Sequence, residues 1–229
     1  MTINGLQKLT LLDYPGHTAC TVFLGGCNFR CPFCHNFELV EGPIPTDGIS
    51  EQELLAFLSK RRGLLDGVCI SGGEPTLCPR LTQLVKSIKD LGFKVKLDTN
   101  GSNPQIIRGL LDANLLDYIA MDIKAAPENY EKVAGVCVNM NAIEQSIRMI
   151  MDSGIDYEFR TTVVEPLHRL QDFQAIGPWL KGAKGYFLQP FVDRDTVPTE
   201  GLASPSEETL QKYLKEIQRF LPNAQIRGK

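Results

Sequence analysis

The 229-residue chain lacks a charge excess of either sign: 24 Lys and Arg stand against 27 Asp and Glu, a formal net charge of -3. That near-neutral balance argues against nucleic acid as a partner. The one tight basic run, Lys60-Arg61-Arg62, falls at the end of an expected amphipathic helix, where cations complement the carbonyl end of the dipole. It reads as a solvated helix end. No apolar run approaches membrane-spanning length, so no membrane partner is expected. The N-terminus has no basic start, long apolar stretch or small-residue cleavage site, because Asp13, Pro15 and Gly16 interrupt it early. A cytoplasmic location follows as the expectation. There is no repeat, no low-complexity tract and no Pro-, Gly- or Ser-rich linker, and one domain spanning residues 1–229 is expected. A second cysteine cluster is also missing. Of seven cysteines, three sit within eight residues and four are isolated, which suits metal ligation in a reducing compartment better than a disulfide framework.

What is present, from about residue 18 onward, is an alternation of short apolar runs with helical-period segments. Strands are expected near 18–25, 67–71, 93–98, 117–123, 156–163 and 185–189, and helices near 50–62, 80–91, 103–114, 141–153, 170–181 and 205–221. Ser50 with Glu53 forms a capping box, Pro104 follows Asn103 at a helix start, and Ser206 precedes Thr209 at another. Six βα units with right-handed crossovers build either an open doubly wound sheet or a barrel. Alternation within the strands separates Phe93, Val95 and Leu97 from Lys94, Lys96 and Asp98. It likewise separates Ile119, Met121 and Ile123 from Ala120, Asp122 and Lys124, and Tyr157, Phe159 and Val163 from Glu158, Arg160 and Thr162. A face holding Lys96, Asp98, Asp122, Lys124, Glu158 and Arg160 is costly in a dry core but suits a zwitterionic ligand in a barrel lumen. A flatter sheet with one solvated face is the competing arrangement, disfavoured because parallel sheets are usually covered on both faces. The expected class is therefore α/β, a partial (β/α)6 TIM-like barrel open at one side.

The first strand runs into a loop at 25–36 that carries Cys27, Cys31 and Cys34. Three thiolates so spaced suit one compact cluster, and a four-iron cubane held by three protein ligands keeps one iron open to an exogenous donor. A structural zinc site would want four ligands; His35 or a distant cysteine would have to supply the fourth, and no second cysteine pair exists. Cys20, Cys69, Cys78 and Cys137 read as small hydrophobes. After the second strand comes Ser71-Gly72-Gly73-Glu74-Pro75, where paired glycines let backbone approach a ligand closely and Glu74 is available to a cationic group.

With the three cysteines, Phe33 before the last of them and the Gly72-Gly73-Glu74 turn in that order, the chain resembles the radical S-adenosylmethionine (SAM) superfamily. Cys34-His35-Asn36, Leu97-Asp98-Thr99-Asn100-Gly101, Met121-Asp122-Ile123-Lys124 and Arg160 within Phe159–Val164 make it similar to the activating enzymes of glycyl radical enzymes. The opening Gly5–Gly16 is similar to the branch that activates anaerobic ribonucleotide reductase. The resemblance implies a 4Fe-4S cluster on Cys27, Cys31 and Cys34, with Phe33 and His35 against the adenosine of SAM. It implies that Gly72, Gly73 and Glu74 form the SAM turn, Gly73 and Glu74 meeting the amino group, and that Asp122, Lys124 and Arg160 orient the amino and carboxylate ends. A monovalent cation is implied between Asp98, Thr99, Asp122 and the Ala120 carbonyl. Where some relatives carry a histidine at the end of the sixth strand, this chain has Leu188-Gln189-Pro190-Phe191-Val192, and it has no ferredoxin-like insertion for a second cluster.

The activity so implied is one-electron cleavage of SAM to a 5'-deoxyadenosyl radical and formation of a glycyl radical on a partner protein, with a flavodoxin- or ferredoxin-type electron donor. The same chemistry on a small molecule or peptide is an alternative. A non-enzymatic iron-sulfur redox module is another, disfavoured by an incomplete ligand set beside a polar lumen.

Overall fold

The computed structural model describes residues 2–41 and 48–228, and the chain divides into two compact units. The first comprises Met1–Asn28, Asn36–Thr99 and Asn103–Ile119; the second comprises Phe29–His35, Asn100–Ser102 and Ala120–Lys229.

In the first unit the chain forms β1 (Thr2–Ile3), β2 (Gly5–Thr10), β3 (Ala19–Leu24), α1 (Phe37–Glu41), β4 (Ile49–Ser50), α2 (Glu51–Ser59), β5 (Gly67–Gly72), α3 (Leu81–Asp90), β6 (Lys94–Thr99) and α4 (Pro104–Asp112). Strand β5 lies between β3 and β6, parallel to both, with Val22 opposite Ile70 and Ile70 opposite Leu97. This is the βα alternation expected from the sequence. Two pairings are additional: β2 runs antiparallel to β3, and β1 pairs with β4. The expected capping box is present at Ser50 and Glu53, and it places Glu53 in the first turn of α2, where a carboxylate also favours the dipole. Helix α3 buries Leu81, Leu84, Val85 and Ile88, and α4 buries Ile107 and Leu110 behind Pro104. Each such side chain contributes about 1.5–3 kcal/mol of burial. Lys60, Arg61 and Arg62 are exposed, as expected of a solvated helix end, with the Arg61 guanidinium over the Phe57 ring.

Strand β7 (Tyr118–Asp122) carries the chain into the second unit. There follow α5 (Tyr130–Ala134), α6 (Met140–Asp152), β8 (Asp156–Val163), α7 (Leu170–Trp179), β9 (Tyr186–Pro190), α8 (Glu207–Gln218) and β10 (Gln225–Ile226). β8 pairs parallel with β9, and β9 parallel with β10. Beyond the end of β7, the Ile123 N–H donates to the Arg160 carbonyl at 2.8 Å. Helix α7 packs on α8 through the stacked rings of Phe173 and Tyr213, 4.5 Å apart. Ser206 caps α8 by accepting from the Thr209 N–H, as its sequence position suggests.

The six charges expected on one polar face do not form a single open set. Lys96 is 1% exposed; its ammonium meets the Asp98 carboxylate, lies 3.7 Å from the Cys69 sulfur and sits over the Tyr118 ring. Glu158, also 1% exposed, is held by both guanidinium nitrogens of Arg227 at 2.5 and 2.7 Å, and that guanidinium stacks 3.5 Å from the Phe187 ring. A buried charge needs a partner, and each of these has one close by. Asp122, Lys124 and Arg160 form a separate, partly open charged group. Cys20 and Cys69 are buried small residues, and burial pushes the Cys20 thiol up to about 12. Cys137 departs from that reading because it is exposed.

Candidate functional site

In the first unit, the end of β3 and the turn after β5 are laced together by backbone. Gly73 N–H donates to the Leu24 carbonyl at 2.9 Å and Glu74 N–H to the Gly26 carbonyl at 2.8 Å, while Gly26 N–H donates to the Leu39 carbonyl at 2.7 Å. The Asn36 amide reaches the Gly72 carbonyl at 3.0 Å. Gly72 has a left-handed φ of 126°, and a β-carbon there would overlap the Leu24 backbone. A β-carbon at Gly73 would overlap the Gly26 carbonyl oxygen and come within 3.3 Å of the Cys27 β-carbon. The two glycines are thus required by the close approach of this turn to the start of the cysteine loop. Gly73→Ala should force the two segments apart. Overpacking against backbone costs about 1–3 kcal/mol, so the reduced, metal-free variant should melt about 2–12 °C lower than wild type by calorimetry.

Glu74 is 1% exposed, and its Oε1 accepts from Thr76 N–H at 3.0 Å, Thr76 Oγ1 at 2.5 Å and Thr99 Oγ1 at 2.8 Å. That oxygen caps the short 3-10 turn Pro75–Leu77. Asp98, where the resemblance implied a cation, already takes the Lys96 ammonium, and the Thr99 hydroxyl is spent on Glu74. Among the described residues, no three His, Cys, Asp or Glu side chains converge on a point that would hold a single ion. Cubane thiolates bind separate irons and need not so converge.

In the second unit the cysteine loop is anchored by Arg30, whose N–H donates to the Ala134 carbonyl at 2.8 Å. Gly135, left-handed at φ 72°, ends α5 against the Arg30 carbonyl, where a side chain has no room. Cys31 is 7% exposed, and a turn bond joins Cys34 N–H to its carbonyl at 3.1 Å. Phe33 is buried, with the Lys124 ammonium 6.0 Å from its ring centroid and the His168 ring edge-on at 6.4 Å. His35 stacks on Phe191 with centroids 5.5 Å apart and planes 7° off parallel; its Nε2 donates to the Val192 carbonyl at 2.6 Å, and its own carbonyl accepts from Thr196 Oγ1 at 2.8 Å. The Phe191-Val192 pair that stands in place of a histidine after the last long strand therefore holds His35 in position.

Asp122 binds Arg160 Nε at 2.6 Å through one oxygen and Lys124 Nζ at 2.9 Å through the other. Their side chains are 29%, 17% and 15% exposed, so the trio is partly open. Desolvation alone would raise Asp122, but Arg160 and Lys124 hold its carboxyl well below the usual range. For Lys124 desolvation works against the charge, and the Asp122 carboxylate and the Cys31 thiolate overcome it, keeping the ammonium above the ordinary lysine range. Burial pushes the Tyr130 phenol up, and its hydroxyl reaches the Asp122 carbonyl at 3.4 Å. The trio sets two cations around one carboxylate, an arrangement able to grip both ends of an amino acid.

Sequence reasoning passed over two polar groups, one buried and one half-buried. His168, 2% exposed, binds the Lys124 carbonyl through Nε2 at 2.7 Å; a lone histidine outside any spacing motif gives no signal for this. Arg227, the partner of Glu158, follows a two-residue strand too short for any periodicity.

The family described as the Radical SAM superfamily matches residues 21–174. A candidate glycyl-radical enzyme activating enzyme of Methanocaldococcus jannaschii is 31% identical over 235 aligned positions, covering 98% of this chain and 95% of that protein. Among solved structures, a domain of the pyruvate-formate lyase-activating enzyme from Bacteroides vulgatus aligns with a TM-score of 0.58 at 19% identity, over 71% of this chain and 99% of that one. Streptococcus suis SuiB bound to S-adenosylmethionine aligns with a TM-score of 0.69 at 12% identity, over 91% of this chain and 52% of that one. These likenesses show the fold, the α/β partial TIM-like barrel type expected from the sequence. With a family match over more than half of its length, and a 31%-identical glycyl-radical enzyme activating relative aligned nearly end to end, the chain belongs to the radical SAM superfamily.

Proposed function

We propose that this radical SAM enzyme is an activase that places a glycyl radical on a larger partner enzyme, an anaerobic ribonucleotide reductase. Superfamily membership implies a 4Fe-4S cluster and SAM. The donor set fits: three thiols in one loop, with Cys31 largely buried and near enough to Lys124 to favour its ammonium. Cys27, Cys31 and Cys34 would hold the cluster, which when bound supplies the electron that cleaves SAM to methionine and a 5'-deoxyadenosyl radical. The chain's own residues bind and orient. Asp122 would take the amino group, Lys124 and Arg160 the carboxylate, and Phe33 and His35 would face the adenosine. Gly72 and Gly73 would let backbone approach SAM closely, and Glu74 holds that turn closed.

The observation that carries this reading is the Asp122–Lys124–Arg160 trio set against Cys31, because it joins an amino-acid-binding charge pattern to a cluster ligand in one unit. The relative from Methanocaldococcus jannaschii supports the activase assignment. A flavodoxin- or ferredoxin-type protein would be the electron donor. The test is anaerobic incubation of the reconstituted, reduced enzyme with SAM and an anaerobic ribonucleotide reductase, with 5'-deoxyadenosine assayed and the partner examined by electron paramagnetic resonance. A glycyl doublet on the partner is expected; 5'-deoxyadenosine without it would move the substrate to a small molecule or peptide.

Asp122→Asn should weaken SAM binding about 10-fold or more by equilibrium dialysis, since it removes the charge that holds both cations and the acceptor for the amino group.

A further inference from the structure

We propose that His168 is a positioning residue that fixes Lys124 for the carboxylate of SAM, an inference that deepens the reading above and rests on it. Past β7 the Ile123 N–H still donates to the Arg160 carbonyl, but further backbone polar groups of the segment need other partners. Three buried side chains supply them. Thr161 Oγ1 donates to the Ile123 carbonyl at 2.7 Å, His168 Nε2 donates to the Lys124 carbonyl at 2.7 Å, and Asp172 Oδ1 accepts from the Ala126 N–H at 3.3 Å. These side chains are 1%, 2% and 5% exposed. Thr161 and Asp172 bind the flanking residues; His168 binds the functional residue itself.

The ring of His168 is defined on every side. Its Nδ1 accepts from the Val164 N–H at 3.1 Å, which leaves the proton on Nε2, facing Lys124. Its edge meets Phe33, and its face tilts onto Phe173 with centroids 6.2 Å apart. The same imidazole therefore touches the aromatic of the cysteine loop and the backbone of the lysine whose ammonium lies over that aromatic. A part-buried carbonyl is costly to leave unpaired, so without the Nε2 donor the segment would turn toward another partner and carry Lys124 with it.

Two substitutions separate the ring from the donor. His168→Phe keeps the aromatic contacts and removes the donor; His168→Gln keeps an N–H donor at a similar reach and removes the ring. Binding of SAM and of decarboxylated SAM, which lacks the carboxylate, is measured on anaerobically reconstituted, unreduced protein, with thermal unfolding in parallel. Wild type should prefer SAM about 10-fold or more, the scale of one charge-assisted contact. His168→Phe should weaken SAM about 10-fold and leave decarboxylated SAM unchanged, and His168→Gln should restore most of the preference. If His168→Phe does not fold, His168→Asn, whose amide stops short of the carbonyl, replaces it with the same expectation. A donor-lacking variant that keeps the wild-type preference, or that loses both ligands equally, would overturn the role of His168. Wild type that binds neither ligand, or both alike, would overturn the reading of Lys124 and this inference together.

Discussion

Cys31→Ser protein, purified and reconstituted without oxygen, is expected to bind substoichiometric iron and sulfide and to cleave SAM no faster than a protein-free control. The hydroxyl is nearly isosteric with the thiol but a far harder ligand, so the substitution removes a soft donor and little packing. Cys31 is largely buried within a loop held by the Arg30 bond to Ala134, and that anchoring does not depend on sulfur. The metal-free variant should accordingly melt close to wild type. Cys27→Ser and Cys34→Ser should behave alike, whereas Cys137→Ser, at an exposed position, should retain full activity. Iron and sulfide analysis with a 5'-deoxyadenosine assay checks each. Wild-type turnover by Cys31→Ser would remove the basis of the proposed chemistry.

The second large effect is on stability. Arg227→Ala strips the partner from Glu158, which is 1% exposed and bound at both oxygens. Breaking a buried pair by removing one member costs about 3–5 kcal/mol, and the guanidinium also gives up its contact with Phe187. At about 2–4 °C per kcal/mol for a chain of this size, the melting temperature should fall by about 6–20 °C. The double variant Glu158→Gln/Arg227→Ala should recover part of that loss, because a neutral amide is cheaper to bury alone than a carboxylate. Equal melting of the two variants would mean that Arg227 acts through packing and not through charge. SAM binding by the surviving folded fraction should be unchanged, since neither residue joins the Asp122 trio.

Much of this was legible in sequence because it is local. The spacing of Cys27, Cys31 and Cys34, the capping box at Ser50 and the paired glycines before Glu74 each lie within a few residues, where covalent geometry sets the outcome. The period-2 alternation placed Asp122 and Lys124 on one face of β7 and its continuation, and the structure joins them. The antiparallel β2 was passed over because Gly5–Thr10 mixes half-buried and exposed positions without clean alternation.

The limits of that local reading show in the polar face. Alternation grouped six charges by sidedness alone, but sidedness does not say which partner arrives. Glu158 is claimed by Arg227, 69 residues away, and Lys96 is closed off by Asp98 and Tyr118, whereas the Asp122 trio stays partly open. His168 reaches Lys124 across 44 residues through a single hydrogen bond. The sequence by itself determined the βα alternation, the thiol loop and the identity of the Asp122–Lys124 pair, because these follow from periodicity and short-range spacing. Tertiary structure alone decided which charges remain available to a ligand and which are consumed by the fold, because desolvation and pairing depend on what packs alongside, and neither is encoded in a residue's neighbours along the chain.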